Sequence, residues 1–466
     1  MFHVAGTGVQ MGALRAIGSL PSWSLIQNPP LNTEVKTVNP VQVLTKCAIP
    51  KFSYSGARHL KACLMAHFPQ EIIDAVIDEI RNSSPSPYLH NDLSCCSLVS
   101  HSFLPRSRKH LFSSIALTSS GHHSWATFHD RIFKPSPEIM PMILSVALRS
   151  GDGYHVEEDH IIYTLLAAMH NLRHVKLSAG FPGNGALSAL KYHADNIISL
   201  HFTNVTFEHS GTFFDLLATF PNLRLLAIKK LGYKTTNPEM ALGSRAESVR
   251  RLERFYFHAT NYTEIAAFRE LVEQEDIMCS LCLRQCALSL WDRDDIVRAK
   301  TILSGSLETL ASLHLIYNTQ INFCDILDIL DFNLFNLPHL SITTFLPPNF
   351  RYTDIDEFEQ GIRRCVLGEQ LALEEFTLRV YPNDNCGAHS LWKVLDALLS
   401  GPRFPRFRQL EIELIFSYRR LADDVMKQIV QRQFTALNEK SGVQLSCRCS
   451  YGDSDDSRLD MYPDIL

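Results

Sequence analysis

The stretch His170-Asn171-Leu172-Arg173-His174-Val175-Lys176-Leu177 decides the fold of this chain. Its apolar residues Leu172, Val175 and Leu177 follow the spacing φ-x-x-φ-x-φ, where φ is an apolar side chain. Because alternate side chains of a strand point to the same face, this spacing is typical of a turn that enters a short β-strand. The stretch therefore predicts a strand with Val175 and Leu177 facing a core.

The same trio occurs eleven times between residues 112 and 412. Successive first positions are separated by 25 residues (Leu172 to Ile197) at the shortest and by 36 (Leu337 to Leu373) at the longest. A recurring interval of this length is the signature of a repeat array, whose units bury their apolar sides by stacking. The trios are Phe112/Ile115/Leu117, Ile143/Val146/Leu148, Leu172/Val175/Leu177, Ile197/Leu200/Phe202, Leu223/Leu226/Ile228, Leu252/Phe255/Phe257, Leu283/Cys286/Leu288, Leu310/Leu313/Leu315, Leu337/Leu340/Ile342, Leu373/Phe376/Leu378 and Phe407/Leu410/Ile412.

Several trios are preceded by segments such as Phe220-Pro221-Asn222-Leu223-Arg224, and the pattern resembles the leucine-rich-repeat family. The resemblance implies an α/β fold, an irregular solenoid with a parallel sheet and outer helices. Helices are predicted at Gly211–Thr219, Glu264–Gln274, Asp354–Cys365 and Leu391–Leu399. The family's asparagine or cysteine at the ninth position occurs only as Asn318, so we expect uneven units. A globular α/β sheet is the alternative.

Ahead of the repeats lies a helical pattern. Phe68-Pro69-Gln70-Glu71 precedes apolar residues at 72, 73, 76, 77 and 80, which lie on one face of a helix. Cys95-Cys96-Ser97-Leu98-Val99-Ser100 and Leu104-Pro105-Arg106-Ser107-Arg108 follow. Together these segments resemble an F-box of the type common in fungal families. The family's usual tryptophan is replaced by Phe103. An ordinary small helical cap is the alternative.

The F-box resemblance implies docking of a Skp-family adaptor, and through it a cullin, within a ubiquitin ligase. Carried over by position, the adaptor-binding residues would be Phe68, Pro69, Ile72, Ile73, Leu98 and Val99. Some of these must also hold the helices together, and the pattern does not separate the two roles.

The repeat array predicts a second surface. Side chains between the core-facing trio members would face the concave side of the sheet, where a rigid scaffold can present them to a target protein. The candidate target-binding residues are Lys176, His201, Tyr256, His258, His314 and Arg379. Simple solvation of these positions is an equally open alternative.

Composition limits the classes of function. Lys plus Arg is 44 and Asp plus Glu is 49, a formal charge of -5, which argues against nucleic acid or an anionic membrane as a partner of the whole chain. The apolar runs are too short to span a bilayer. The 12 scattered cysteines favour a reducing compartment, so we expect the cytoplasm or nucleus.

No catalytic or cofactor-binding motif is found, and we predict neither a cofactor nor a metal. Cys279-x-x-Cys282 with Cys286 lacks a second ligand pair, and Cys447-x-Cys449 stands alone. His122, His123 and His129 have no supporting carboxylate. No phosphate-binding loop, nucleophile elbow or kinase motif set is present.

The sequence therefore predicts a non-enzymatic, substrate-recognition subunit of a Skp/cullin/F-box ligase. A scaffold or sensor that uses the same two modules outside a ligase is the alternative, and an enzyme with an unrecognised site is a third. The expected parts are a poorly ordered extension (1–66), the F-box-like module (67–110), the repeat domain (111–450) and an acidic tail (451–466).

Overall fold

The computed structural model describes residues 69–83, 86–119, 124–150, 156–180, 183–235, 251–259, 269, 281–306, 308–317, 337–345, 372–381, 391–416 and 423–451. The chain divides into two compact units, Met1–Pro69 and Gln70–Leu466, and the second carries every element below. Several predictions lie outside the described residues: the extension 1–66, Phe68, His122, His123, Cys279, Asn318, the helix 354–365, the helix 264–274 apart from Arg269, and the tail after Tyr451.

Twelve β-strands form one parallel sheet, and each strand pairs only with its neighbours in the sequence. The strands are β1 (Ser114–Thr118), β2 (Ser145–Arg149), β3 (His174–Gly180), β4 (Ser199–His209), β5 (Leu225–Thr235), β6 (Arg254–His258), β7 (Gln285–Leu290), β8 (Ser312–Tyr317), β9 (His339–Phe345), β10 (Glu375–Tyr381), β11 (Gln409–Phe416) and β12 (Gln444–Tyr451). The predicted α/β class with a parallel sheet is confirmed, and all eleven trios lie at strands of that sheet.

The register explains why the trio repeats. Val175 pairs with Val146 on one side and Leu200 on the other, so that one row of apolar side chains crosses the whole sheet. A second row runs through Leu148, Leu177 and Phe202. Most residues of both rows are less than 9% exposed, and they form a single core. A strand slipped by one residue would turn its apolar residues away from this core.

The twelfth strand had no predicted trio. Its residues Leu445 and Cys447 pair with Leu410 and Ile412, which places Gly442 at the first trio position. Gly442 has φ +88°, a left-handed conformation that glycine adopts without steric cost. A search for an apolar residue at that position therefore overlooks this unit.

Three neighbouring strands share a left-handed residue at one register position. Ala179, Asn204 and Lys230 have φ of 56°, 55° and 57° and lie immediately before the paired residues at 180, 205 and 231. The turn puts two residues instead of one between successive core-facing positions. Val205 and Leu231 consequently point into the core, where they are 2% and 1% exposed. These are ninth-position sites of the predicted repeat, filled here by apolar groups.

Helices cover the core-facing side of the sheet, since their apolar residues belong to the same core as the strands. They are α4 (Trp125–Phe128), which continues as a π-helical turn (His129–Phe133), a 3-10 turn (Pro137–Met142), α5 (Val156–Ala168), α6 (Asn184–Tyr192), α7 (Ser210–Ala218), α8 (Arg293–Ser304), α9 (Leu391–Ser400), α10 (Asp423–Arg432) and α11 (Thr435–Glu439). The helices predicted at 211–219 and 391–399 are confirmed as α7 and α9. In the described ranges, no helix is both long and apolar enough to cross a bilayer.

Aspartates of one unit cap helices of the next. Asp159 of α5 accepts a hydrogen bond of 2.7 Å from the Gly185 backbone N at the start of α6. Asp396 of α9 likewise accepts bonds of 3.0 and 2.8 Å from the backbone N atoms of Ala436 and Leu437 in α11. Because the first amides of a helix have no partner within the helix, each carboxylate stabilises the following unit.

Before the sheet, three helices form a small module. They are α1 (Gln70–Ser83), α2 (Ser86–Val99) and α3 (Leu104–Leu111), and α1 begins where the sequence predicts a helix. Ile73, Ile77 and Leu93 are buried together in a core that is separate from the core of the sheet. Ile80 and Phe103 are partly buried and pack against this core.

Candidate protein-interaction sites

The first candidate site is one end of the helical module. The exposed fractions of Ile72, Leu98 and Val99 are 50%, 85% and 53%. Pro69, immediately before α1, is also exposed. These values are unusual for apolar residues of a module that buries so few others, and contiguous exposed apolar groups are typical of protein-binding surfaces.

The start of α1 and the segment after α2 lie against each other. The Gln70 side chain donates a hydrogen bond of 2.9 Å to the Ser102 backbone O. Ser102 follows Val99 by three residues, and Ile72 follows Gln70 by two. Ile72 and Val99 therefore lie two and three residues from the groups that form this hydrogen bond. Within the helical module, the predicted adaptor residues Ile72, Leu98 and Val99 are thus exposed near the junction of α1 with the segment after α2.

Ile73 has a different role from its neighbours. It is 5% exposed and packs with Ile77 and Leu93 in the core of the module. Among the six candidate adaptor-binding residues, Ile73 is therefore one that holds the helices together. Helix geometry gives the reason, because adjacent residues on a helix point about 100° apart, so one edge of a broad apolar face can be buried while the other edge meets solvent. Phe68 lies outside the described residues.

An ion-pair cluster fastens α1 to α3. Asp78 accepts hydrogen bonds from Arg106 at 2.7 Å (Nε to Oδ1) and 2.5 Å (Nη2 to Oδ2). The His110 Nε2 lies 2.6 Å from Asp78 Oδ1. The hydrogen bonds of Arg106 and then of His110 hold the pKa of Asp78 well below its usual range. This cluster fixes the angle at which α1 presents Ile72.

The second candidate site is the ladder face, which we define as the sheet face opposite the core-facing rows. Strand register arranges its side chains in three rows. The first is Ser114, Ser145, His174, Ser199, Leu225, Arg254, Gln285, Ser312, His339, Glu375, Gln409 and Gln444; the middle is Ala116, Ala147, Lys176, His201, Ala227, Tyr256, Ala287, His314, Ser341, Thr377, Glu411 and Ser446; the last is Thr118, Arg149, Ser178, Thr203, Lys229, His258, Ser289, Ile316, Thr343, Arg379, Glu413 and Arg448.

Four of the six predicted target-binding residues are buried on this face. His201, Tyr256, His258 and His314 are 9%, 4%, 2% and 4% exposed. They do lie in the predicted rows, but the alternation of a strand determines only the face and not the accessibility of a residue. As placed in this structure, none of the four presents appreciable surface to a target.

The buried histidines bond to small hydroxyl side chains beside them. His201 Nε2 lies 2.9 Å from Ser199 Oγ, and His314 Nε2 lies 2.9 Å from Thr343 Oγ1. Burial lowers the pKa of His201 to about 4, with a further contribution from Lys176, and lowers the pKa of His314 to about 3. Both imidazoles are therefore neutral at pH 7.

At the carboxyl-terminal end of the ladder face the charges neutralise one another. Glu413 accepts hydrogen bonds from Arg379 Nε at 2.9 Å and from Arg448 Nη2 at 3.1 Å. Arg448 also pairs with Glu411 at 3.1 Å, and Arg408 pairs with Glu374 and Glu375. Arg379, the last predicted target-binding residue, is thus committed to an internal ion pair.

Toward the amino-terminal end of the sheet, four cations form no such pair within the described residues. Arg149, Arg173 and Arg254 are exposed, and Lys176 is half-buried. Within the part of the chain that the structure describes, none of these four side chains forms a salt bridge. Lys176 is the predicted target-binding residue that remains accessible and uncommitted.

Among the described residues, an open surface depression of about 400 Å³ is lined by Gln428, Gln431, Arg432, Asn438 and Leu445. A cavity of about 30 Å³ lies among Trp125, Leu148, Ile162, Leu177 and Val205, enough for about one or two water molecules. In the described segments no group of three or more His, Cys, Asp or Glu side chains is arranged to hold a metal.

The described cysteines are free thiols with structural surroundings. Cys286 occupies its predicted position in the core, and burial raises the pKa of its thiol well above the usual range. Cys282, by contrast, is exposed to solvent, so Cys282 and Cys286 do not share one environment. Cys447 is buried in β12, where burial raises its pKa to about 12. The expectation that the histidine group has no supporting carboxylate is wrong for His129, because its Nδ1 lies 3.1 Å from Oδ1 of the adjacent Asp130.

Comparison with known proteins gives no family assignment, since no protein-family model and no curated protein matches the chain.

Proposed function

We propose that the chain is the substrate-recognition subunit of a Skp/cullin/F-box ubiquitin ligase. The helical module docks the Skp-family adaptor, and the repeat array holds a target protein. The observation that carries the proposal is the division within the module. Ile73, Ile77 and Leu93 form its core, while Ile72 and Leu98 remain exposed at one end.

Such a division favours a docking module over a simple cap. A helical cap on the sheet would direct its apolar residues inward, whereas this module has a core of its own and leaves large apolar groups in solvent. An adaptor groove that accepts Ile72, Leu98 and Val99 would remove about 25 cal/mol of unfavourable exposure per Å² of apolar area.

The sheet supports the second half of the proposal. Twelve strands in sequence order, with rows in continuous register, are the arrangement expected of a leucine-rich-repeat-like solenoid. In the proposed complex the chain supplies no catalytic group. It accelerates ubiquitin transfer by proximity, because it holds the target near the ubiquitin-loaded enzyme carried by other subunits.

The test is capture of purified Skp-family adaptor and cullin by the full chain and by two variants, Ile72→Glu and Leu98→Glu. Both substitutions lie on exposed side chains, so we expect loss of capture with an unchanged unfolding transition. The matched control is Val297→Glu on α8, since Val297 is similarly exposed, at 59%, but lies in the repeat array.

Capture that survives both module substitutions would refute the docking assignment. A wild-type chain that is folded but retains no adaptor would favour the alternative, a scaffold or sensor that uses the same two modules outside a ligase.

A further inference from the structure

Ion pairing of the cations on and beside the ladder face differs between the two ends of the sheet. Arg379, Arg408 and Arg448, near the carboxyl-terminal end, all pair with glutamates. Toward the amino-terminal end, Arg149, Arg173, Lys176 and Arg254 form no ion pair within the described part of the chain. We call these four residues the basic patch.

The charges of the basic patch act on the same neighbours. The pKa of His174 is lowered first by burial and then by Arg173 and Arg254. Lys176 and His174 in turn contribute to the lowered pKa of His201. Arg254 occupies the same ladder-face row as His174, three strands away. Arg173, Lys176 and Arg254 therefore act on the adjacent residues His174 and His201 of β3 and β4, while Arg149 lies one strand away on β2.

Few carboxylates offset this charge. Glu253, at the start of β6, pairs with Arg224 at 3.3 Å, and Asp195 is exposed in the turn before β4. No acidic residue occurs in the three ladder-face rows of β1 to β6, whereas β10 and β11 contribute Glu375, Glu411 and Glu413. Among the described residues of this region, positive charge is therefore in excess, in a chain whose net charge is -5.

The dimensions suit a short peptide. From β2 to β6 there are four strand spacings of about 4.8 Å, or about 19 Å across the sheet. An extended segment of about six residues covers that distance. The neighbouring positions Ala116 and Ala147 carry small, accessible side chains and leave the approach open.

We propose that the basic patch binds a carboxylate-rich, acidic segment of a protein. The charge of the patch selects this occupant, because the guanidinium group of an arginine donates two parallel hydrogen bonds to a carboxylate. The described residues of the surface also provide few carboxylates that would compete with the segment. The inference rests on the proposed function in one respect: the acidic segment is taken to belong to the target protein of the ligase. Binding of the segment itself needs no adaptor.

Fluorescence anisotropy of the full chain with a labelled twelve-residue Glu/Ser peptide tests the proposal. We expect saturable binding that weakens as salt rises, since exposed charges are screened. The triple variant Arg149→Glu/Lys176→Glu/Arg254→Glu should weaken binding at least tenfold. The control Lys393→Glu/Arg406→Glu changes two exposed cations on α9 and in the turn before β11, and it should stay within twofold of wild type.

Other probes separate the possible occupants. Replacing the glutamates of the peptide by glutamine should abolish binding. Equal binding by wild type and the triple variant would overturn the proposal, as would tighter binding of a single-stranded DNA dodecamer or of vesicles with 30% anionic lipid. Binding that required phosphoserine in place of glutamate would overturn the carboxylate assignment. Adaptor capture by the triple variant is measured separately, so failure of the peptide assay and failure of the ligase proposal are distinguishable.

Discussion

Arg379 on β10 and Glu413 on β11 form a largely buried ion pair, with 2.9 Å between Nε and Oε2 and side-chain exposures of 14% and 9%. Arg379 also donates a hydrogen bond of 3.0 Å to Ser341 on β9, and Arg448 on β12 bonds to the same glutamate. One carboxylate thus joins three neighbouring strands of the ladder face, and its arginine partner reaches a fourth.

We predict that Glu413→Ala lowers the free energy of unfolding by about 2–4 kcal/mol, because it leaves two arginines without their main counter-charge in a poorly solvated site. Urea denaturation measures the change. Glu411→Ala is the control, since Glu411 bonds only the more exposed Arg448 and should cost about 1 kcal/mol or less. An equal decrease in the free energy of unfolding for the two variants would show that the buried Arg379–Glu413 pair stabilises the fold no more than the exposed Arg448–Glu411 pair.

Acid should destabilise the sheet through its buried histidines. The pKa values of His201 and His314 are about 4 and about 3 in the native chain and near 6.5 when exposed. Between these limits the unfolded chain binds more protons, so stability is complete above about pH 6.5 and falls as the pH drops. At pH 5 the two residues together should cost about 2–4 kcal/mol.

The measurement is the difference between unfolding free energies at pH 7.5 and pH 5.0. In His201→Gln and His314→Gln this difference should shrink, even where the substitution itself lowers stability at pH 7.5. His174, Lys176, His258 and Arg379 are the charged or titratable groups that act on the two histidines. A pH response identical to that of the wild-type chain would exclude the histidines as its source.

Gly185 should not tolerate a side chain. A Cβ at this position would lie 2.5 Å from the Asp159 backbone O and 2.7 Å from its Oδ1, so that the capping contact between α5 and α6 must shift. We expect Gly185→Ala to cost about 1–3 kcal/mol in thermal or urea unfolding. Gly232→Ala is the comparison, since its Cβ would meet only the Thr206 side chain at 3.5 Å. Equal stability of the two variants would contradict the steric argument.

The Asp78 cluster should hold the helical module together. Asp78→Asn keeps the shape but removes the charge that pairs with Arg106, so hydrogen exchange in α1 and α3 should accelerate several-fold. Because the pKa of Asp78 is depressed, its contribution is present above about pH 4 and is lost as the pH falls toward the native value. Glu79→Gln, on the exposed side of α1, should leave exchange unchanged. No change in the Asp78 variant would refute the role of the cluster.

The strands could be predicted because their signal is local. Leu172, Val175 and Leu177 show both the period and the core face within six residues, and the repetition of that pattern implies parallel neighbours. The strand β12 was not predicted because its first trio position is Gly442, which has no apolar side chain and adopts a left-handed backbone conformation in the turn before the strand.

The sites were predicted less completely. Helical periodicity placed Ile72 and Ile73 on the same apolar face. Only the packing of α1 against Leu93 shows that Ile73 is a core residue and that Ile72 is exposed. Strand alternation correctly placed the candidate residues on the face opposite the core, whereas the burial of His201 and His314 was not predicted, because burial depends on the side chains that surround a position in space.

By itself the sequence determined the periodic elements of this protein: a parallel strand at each trio and an amphipathic helix after Pro69. Both follow from the spacing of apolar residues along one segment, which strand and helix geometry convert directly into a face. Only the tertiary structure decided which charges are neutralised and which stay available. Glu413 meets Arg379 and Arg448 across neighbouring strands, 34 and 35 residues apart in the chain. Among the residues that the structure describes, Arg149 and Arg254 pair with no carboxylate, and Coulomb interactions depend on such distances in space, which separation along the chain does not reveal.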